Sequence, residues 1–238
     1  MSPIGFESTA WSVVLAARDA PSEVSRRALN TLCETYWFPL YSYLRHKGYS
    51  QEDAKDLTQE FFAHFLENHC LATVAPEKGE FRSYLLACLN NFLSHVHAKN
   101  QTQKRGGGLV RVPFDFAEAE QRYVSGPSHG LSAEALYDAE WGRTVLDKAM
   151  GQLKAEFAAA GNATLFDRIR ICLSQRKADI PYKDLGRELE MSEGALKVAV
   201  HRMRKRYGVL LRNEISGTVE RPEDVDAELM YLIEIVGS

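Results

Sequence analysis

Apolar residues recur every three to four positions along most of this chain, the spacing that gathers side chains on one face of an α-helix. Strand-like alternation of apolar and polar residues is nearly absent. Before residue 101 the pattern predicts helices at part of residues 8–18 and at residues 21–46, 51–68 and 81–99. Beyond residue 131 it predicts helices at residues 132–160, 162–175, 182–190 and 222–236, and another that Ser192 caps. The sequence therefore predicts an all-α protein.

Glycine and proline are concentrated between the two helical parts of the chain. The interruptions are Gly106, Gly107, Gly108, Pro113, Gly126 and Pro127, a composition typical of a linker. Its portion LVRVPFDF is too apolar to be wholly exposed, and we expect it in a groove of a partner protein. We therefore predict two helical domains joined by a flexible linker. The boundaries are residues 1–100, a linker at 101–131, residues 132–215, and an acidic helical tail at 216–238.

The stretch YKDLGRELEMSEGALKVAVHRMRKR, residues 182–206, predicts two helices joined by a tight turn. Ser192 is a favourable N-cap for the second helix, and Glu193 in its first turn complements the helix dipole. The second helix has a buried apolar stripe of Leu196, Val200, Met203, Tyr207 and Leu210. The roughly opposite side carries Lys197, His201, Arg204 and Lys205. A helix-turn-helix with a basic outer stripe suits the DNA major groove, and the alternative is a solvated charged helix on an ordinary bundle.

Charge is segregated along a chain whose net charge is only −3. Between Lys197 and Arg212 there are six Lys or Arg and no acid, whereas residues 214–238 carry seven acids and one arginine. Local basic patches on an acidic protein favour selective DNA binding and argue against a histone-like polycation. The four cysteines form no CxxC pair, so we expect reduced, packed thiols. With neither a signal peptide nor an apolar run of about 18 residues, a soluble cytoplasmic protein is expected.

The helix predicted at residues 51–68 carries an acidic face opposite its apolar stripe. The stripe consists of Ala54, Leu57, Phe61 and Phe65. The opposite face consists of Glu52, Asp56, Gln59, Glu60 and Ala63, with Phe62 at its margin. An acidic stripe beside an exposed aromatic residue suits docking onto a basic protein surface, with the aromatic as the anchor. The alternative is a solvated face beside a core phenylalanine.

The helix predicted at residues 81–99 carries a polar face before a basic, glycine-rich exit. The face consists of Asn90, Asn91, Ser94 and His97, and the exit reads KNQTQKRGGG. Amides and hydroxyls leading to basic residues suit phosphates and unstacked bases, and a plain solvent face is the alternative. The preceding loop, ATVAPEKGEFR, has Lys78 and Arg82 to meet phosphates.

No set of residues predicts catalysis or a bound cofactor. Neither a Ser-His-Asp arrangement nor a paired carboxylate site is evident, and the glycine run is not a P-loop because no GK[ST] follows it. The histidines His64, His69, His95 and His97 invite a metal site, but no acid or cysteine completes the set. We therefore expect a protein that is not an enzyme and has no metal or other cofactor.

Three of these segments, taken in order, resemble a bacterial RNA polymerase sigma factor of the sigma-70-like, extracytoplasmic-function class. DAKDLTQEFFAHFLE is similar to region 2.2 of that class, GEFRSYLLACLNNFL to regions 2.3 and 2.4, and LGRELEMSEGALKVAVHRMRKRYGVLLRNEI to region 4.2. QKRGGG, AEAEQRY and VDAELMYL look like its long-tailed group, common in planctomycete-type bacteria. The resemblance covers nearly the whole chain and implies a region 2-like bundle at residues 1–100 and a region 4-like helix-turn-helix domain at 132–215.

The resemblance implies a subunit that binds core RNA polymerase, recognises the −35 and −10 promoter elements and helps to open DNA. The residues implied to dock on the clamp helices of the largest polymerase subunit are Asp56, Gln59, Glu60 and Phe62. Those implied to bind the −10 element are Lys78, Arg82, Asn90, Asn91, Ser94 and Lys99, with a flipped base captured by residues 73–82. Those implied to bind the −35 element are Tyr182, Ser192, Lys197, His201, Arg202 and Lys205. The helix-turn-helix would also touch the polymerase flap, and the linker would thread near the RNA exit path.

The chain departs from the family near the end of the predicted helix at residues 81–99. The family often has an acid, two residues and then an arginine, whereas this chain has His95 and Ala98, and only Lys99 supplies charge there. The DNA contacts of that turn would then be weaker, or would be carried by Lys104 and Arg105 instead. The acidic tail would either shield a basic patch or pack on the region 4-like domain through an apolar stripe. The stripe consists of Val225, Leu229, Leu232 and Ile233.

Regulation stays open between an anti-sigma protein, a kinase input and the tail itself, and a monomer is expected when the protein is free. The sequence also allows an alternative function, a stand-alone helix-turn-helix transcription regulator whose N-terminal domain senses a ligand or partner.

Overall fold

The computed structural model describes residues 23–66, 80–100, 114–125, 130–176, 179–219 and 221–237. Within these ranges the regular elements are helices and no strand occurs, which confirms the all-α prediction. The α-helices are α1 Glu23–His46, α2 Gln51–Leu66, α3 Phe81–Asn100, α4 Phe116–Ser125, α5 Ala133–Ala159, α6 Ala163–Ile169, α7 Tyr182–Glu188, α8 Glu193–Ser216 and α9 Val225–Gly237. Short 3₁₀ helices occupy Arg170–Leu173 and Pro222–Asp224. None of the helices in these ranges has the length and apolarity needed to cross a membrane. The helix predicted within residues 8–18 lies outside the described residues.

Local signals set the junction between α1 and α2. Helix α1 continues through Pro39, and after its end Gly48 adopts φ of 93°, a left-handed conformation that glycine tolerates. Ser50 then caps α2, accepting a hydrogen bond from the Asp53 amide at 3.1 Å and donating one to the Asp53 carboxylate at 2.6 Å. Both helix ends match the sequence-based expectation.

The chain divides into two compact units. Unit 1 comprises Met1–Thr144 and Ile215–Ser238, and unit 2 comprises Val145–Glu214. The chain therefore passes from one unit to the other within α5 and returns within α8, and not in the glycine-rich linker. This division differs from the domain boundaries predicted from composition.

Unit 1 has an aromatic core supplied by α1, α2 and α3. Tyr36 and Phe65 both contact Phe81 edge-on, with ring centroids 5.4 and 6.5 Å apart, and Phe61 contacts Phe92 at 5.8 Å. All five rings are buried. Since aromatic pairs of this geometry contribute beyond their buried area, they fix α2 and α3 against α1. The apolar stripe predicted for α2 is the face that the structure buries, with Leu57 half-buried at its edge.

The second half of the predicted linker is an ordered part of unit 1. Phe114 stacks on Trp37 of α1, with ring centroids 4.8 Å apart and an interplanar angle of 7°. Phe116, at the start of α4, is buried and contacts Trp37 edge-on at 5.4 Å. Phe114 and Phe116 therefore pack against their own chain, which corrects the expectation of a groove in a partner for this end of the segment LVRVPFDF. Residues 101–113 and 126–129 of the predicted linker lie outside the described residues.

Helix α4 is tied to α1 by charge as well as by aromatic packing. The guanidinium of Arg45 donates two hydrogen bonds to the Glu120 carboxylate, at 3.0 and 2.8 Å. Tyr41 donates a further hydrogen bond to the same carboxylate. These contacts hold the pKa of Glu120 below its ordinary value, chiefly through the hydrogen bonds from Arg45.

The acidic tail forms α9, which belongs to unit 1. Gly142 of α5 lets the two helices approach closely, since a Cβ at that position would lie 2.8 Å from Cγ2 of Val236. Leu232 is fully buried, but Ile233 is 57% exposed. Glu228, which does not belong to the predicted apolar stripe, is buried. The predicted apolar stripe is therefore rotated. The tail packs on α5, whose residues fall within the predicted domain at residues 132–215, so the expectation that it packs there is confirmed for this helix. The alternative, that the tail shields a basic patch, stays a prediction.

Unit 2 is a small helical body built from the second half of α5, α6, the following 3₁₀ helix, α7 and α8. Its most buried apolar residues are Val145, Ala149, Leu153, Phe166, Ile169, Cys172, Leu196, Val200 and Met203. The helix predicted at residues 162–175 is α-helical only to Ile169 and continues as the 3₁₀ turn to Leu173. Within this body, α7 and α8 follow each other across a short turn.

Candidate nucleic-acid interface

Helices α7 and α8 form a helix-turn-helix whose turn depends on two backbone features. Glu190 adopts φ of 51°, the left-handed region, and is the one non-glycine residue in the described ranges to do so. Gly186 faces the turn, and a Cβ there would lie 2.8 Å from the carbonyl oxygen of Met191. The Met191 amide donates a 2.8 Å hydrogen bond to the Gly186 carbonyl. Helix α7 therefore comes this close to the turn because residue 186 has no side chain.

The start of α8 brings two of the predicted DNA-contacting residues together. Ser192 accepts a hydrogen bond from the Ala195 amide at 3.2 Å, which caps the helix as expected. The ammonium of Lys197 lies 3.4 Å from the Glu193 carboxylate and 5.4 Å from the centroid of the Tyr182 ring. Lys197 is exposed and Tyr182 is half-buried. The ring and the acid thus hold a flexible cationic side chain near the entrance of the helix.

One face of α8 is exposed from its first to its fourth turn and carries cations from Lys197 to Lys205. Its exposed residues are Gly194, Ala195, Lys197, Val198, His201, Arg202 and Lys205. Glu193, which is also exposed at the start of the helix, pairs with Lys197. The opposite face is the predicted apolar stripe, of which Tyr207 is only half-buried. An α-helix with an exposed cationic face of this length can enter the DNA major groove.

Arg204 does not belong to this face, contrary to expectation. It is half-buried, and its Nε donates to the carbonyl of Cys172 at 3.1 Å. Its Nη2 donates to the carbonyl of Gln175 at 2.5 Å. The Cys172 carbonyl lies in the last turn of the 3₁₀ helix and the Gln175 carbonyl follows it, so Arg204 satisfies acceptors at the end of that helix. Arg206 is likewise engaged within unit 2, with its guanidinium 2.5 Å from the Glu156 carboxylate.

Arg82, predicted to contact phosphates, is buried in unit 1. Its guanidinium pairs with the carboxylate of Glu228 in α9 and, at 3.3 Å, with that of Asp138 in α5. The rings of Trp141 and Tyr231 lie 4.7 and 4.6 Å from its guanidinium carbon. Because carboxylates and aromatic rings enclose the guanidinium, the expectation that Arg82 binds DNA is corrected: it is a structural residue.

The remaining residues predicted for the −10 element lie on or before α3. Asn90, Asn91 and Ser94 are all exposed. The Asn90 amide oxygen accepts a hydrogen bond from Tyr43 at 3.0 Å, and Ser94 donates to the Asn90 carbonyl at 2.9 Å. Lys78 and the side chain of Lys99 lie outside the described residues. A DNA contact on this helix therefore stays a prediction, for which the exposed amides of α3 are available.

The predicted polymerase-docking face of α2 is polar and lacks an exposed aromatic residue. Asp56 is exposed, and Gln59 and Glu60 are half-buried. Phe62 is fully buried and contacts Phe114, with ring centroids 5.4 Å apart. The interpretation of Phe62 as an exposed anchor is therefore wrong, and the alternative of a core phenylalanine is the one observed.

A groove of about 640 Å³ separates this face of α2 from the chain segment that precedes and begins α4. Its lining residues are Lys55, Asp56, Gln59, Phe114, Asp115, Phe116 and Ala117. Sequence reasoning missed this neighbourhood because the two sides are more than fifty residues apart. The sequence signal for this groove is the pair of aromatic residues, Phe114 and Phe116, within a glycine- and proline-rich stretch.

The histidines and cysteines show no metal site in the described ranges, where no group of three or more His, Cys, Asp or Glu could hold an ion. His97 Nε2 lies 2.7 Å from the hydroxyl of Tyr49, and the ring of His64 lies against Phe92. His95 and Ala98, the departures from the family pattern, are exposed on α3, whereas His69 lies outside the described residues. Burial raises the pKa of the Cys33 thiol, which is therefore protonated and unreactive at neutral pH.

Comparison with known proteins adds no relative to this picture. No protein-family model matches the chain, no curated protein matches it, and no solved structure matches it. What the protein does must therefore be argued from its motifs and from the geometry of its two units.

Proposed function

We propose that the protein is a sigma factor, a subunit that binds core RNA polymerase and directs it to promoter DNA. The observation that supports this most is the exposed cationic face of α8, which follows a tight, glycine-dependent turn from α7. In this proposal the first three turns of α8 lie in the major groove of the −35 element. Each good contact from a basic side chain to a base edge would contribute about 1–3 kcal/mol of discrimination.

The −10 element would be bound by unit 1 through the exposed polar face of α3. Asn91 and Ser94 are exposed there, and amide and hydroxyl groups suit unpaired bases and the phosphate backbone. Arg82 has no part in this contact, because its charge is neutralised inside the unit. Unstacking a base costs a few kcal/mol, which binding of the extruded base would offset.

The polymerase would be bound through the polar face of α2. Asp56 is exposed and Glu60 is half-buried beside it on this helix, an acidic surface that is unsuited to DNA and suited to a basic protein. This face is what distinguishes a sigma factor from a stand-alone helix-turn-helix regulator. Since polymerase would hold both promoter-binding units, each would need only weak affinity of its own.

The decisive experiment is transcription in vitro with purified core polymerase over a promoter library. We expect the protein to direct initiation to a shared pair of upstream sequences. Glu60→Lys should abolish binding to core polymerase in a pull-down, whereas Glu34→Lys, the same charge change at an exposed position of α1, should leave binding intact. Retention of full polymerase binding by the Glu60 variant would refute the docking face.

A second pair of variants tests the −35 contact. Lys197→Ala should lower transcription from the selected promoter by about tenfold, because it removes one charged contact to DNA. Arg206→Ala is its control, since Arg206 is nine residues further along the same helix, on the side opposite to Lys197, where it pairs with Glu156. If neither the wild type nor the two variants give core polymerase any start-site selectivity, the stand-alone regulator is favoured instead.

A further inference from the structure

Val198 is an apolar exception on the cationic face of α8. Its side chain is 48% exposed. Its neighbours one helical turn away, three and four positions before and after it, are Gly194, Ala195, His201 and Arg202, all of them exposed. Single exposed valines are common on protein surfaces, so exposure alone would mean little. The informative point is its place at the centre of the surface that the proposed function brings against DNA.

The residues around Val198 indicate which kind of partner surface could cover its side chain. A Cβ built at Gly194 would have no atom within 4 Å, and Ala195 adds only a methyl group, so a partner can approach the backbone closely just before Val198. Lys197 and Arg202 flank it with positive charge. An apolar surface on a protein partner would have to lie against these two cations, whereas a groove of DNA has phosphates along both of its edges.

The major groove offers one apolar group among its base edges, the C5 methyl group of thymine. A valine side chain on a helix in the groove can reach that methyl group, and it makes no useful contact with the polar edges of guanine or adenine. A β-branched residue also has a lower helix propensity than the alanine or lysine that a plain solvent-facing position would favour.

We propose that Val198 reads one thymine of the upstream promoter element by contacting its C5 methyl group. The inference rests on the proposed function, since it requires α8 to lie in the major groove. It adds a specificity determinant that the basic residues cannot supply, because they donate hydrogen bonds and do not sense a methyl group.

The test combines Val198→Ala, which removes the two methyl groups of the valine side chain, with promoter DNA in which one thymine lacks its C5 methyl group. The promoter selected by the full-length protein with core polymerase is synthesised with each upstream thymine replaced in turn by deoxyuridine, which lacks only the C5 methyl. We expect one replacement to weaken binding of the wild-type holoenzyme by about fourfold, the effect of one buried methyl-sized group. In Val198→Ala that replacement should have no effect, and binding to the thymine promoter should already be weakened.

Val209→Ala is the matched control. Val209 lies on the same helix and is 40% exposed, but it is eleven residues further on, about 16 Å along the helix axis. This variant should keep the wild-type response to deoxyuridine. If Val198→Ala still distinguishes thymine from deoxyuridine as the wild type does, the inference is overturned while the sigma-factor proposal stands. If no promoter is selected at all, the proposed function fails and this inference fails with it.

Discussion

The ion pair between Arg82 and Glu228 gives the sharpest prediction about stability. Glu228→Gln keeps the size of the side chain and removes its charge, leaving a buried guanidinium whose side chain is only 7% exposed. Removing one partner of a buried pair typically costs about 3–5 kcal/mol. Asp138 remains 3.3 Å from Arg82, so we expect the lower end, about 3 kcal/mol. For a chain of this size that corresponds to a fall in Tm of about 6–12 °C.

The assay is equilibrium unfolding in urea, followed by circular dichroism, with calorimetry for the Tm. Glu134→Gln is the matched control, because it makes the same change in unit 1 at an exposed pair with Lys47, 3.3 Å apart, and should cost less than about 1 kcal/mol. Combining Arg82→Met with Glu228→Leu should recover part of the loss, since it removes both fully buried charges, and the half-buried Asp138 keeps its hydrogen bond from Tyr231. Equal effects of the two glutamine variants would refute the reasoning that α9 is anchored by a buried charge.

Two further predictions concern the turn of unit 2 and the docking of α4. Gly186→Ala should destabilise the protein by about 1–3 kcal/mol, because its Cβ would collide with the Met191 carbonyl. Gly151→Ala, in open space on α5, is the control and should be neutral or stabilise the protein by up to about 1 kcal/mol. Thermal unfolding of the two variants and the wild type measures the difference. Arg45 holds the pKa of Glu120 below its ordinary value of 4.5, so this contact stabilises the fold above that pH and loses its effect as pH falls through the lowered pKa. The stability difference between wild type and Glu120→Gln should therefore shrink in urea titrations from pH 7 to pH 3, and a difference independent of pH would contradict this.

Helix positions were predictable because their signals are local. The Ser50 and Ser192 caps, the apolar stripe of α2 and the tight turn before Ser192 each lie within a few residues of the element that they define. The predicted outer basic residues of α8 were exposed with the exception of Arg204, whose partners are the carbonyls of residues about thirty positions earlier.

The errors came from contacts between residues that are distant in sequence. Phe62 looked like the margin of an exposed face because the ring that covers it belongs to Phe114. Arg82 looked like a phosphate ligand because its carboxylate partner, Glu228, lies 146 positions further on. Periodicity reports which face of a helix is apolar, but it carries no information about which distant side chain completes a charge pair.

The discontinuous make-up of unit 1 has a consequence for biosynthesis. Residues from Ile215 onward complete a body whose other members all precede Val145, so every residue of unit 2 must be translated before Glu228 can reach Arg82. On the ribosome, the guanidinium of Arg82 would have the carboxylate of Asp138 as a partner, but not that of Glu228, until α9 emerges. A chaperone or protease acting on emerging chains would therefore meet this protein in a half-assembled form that the finished molecule never displays.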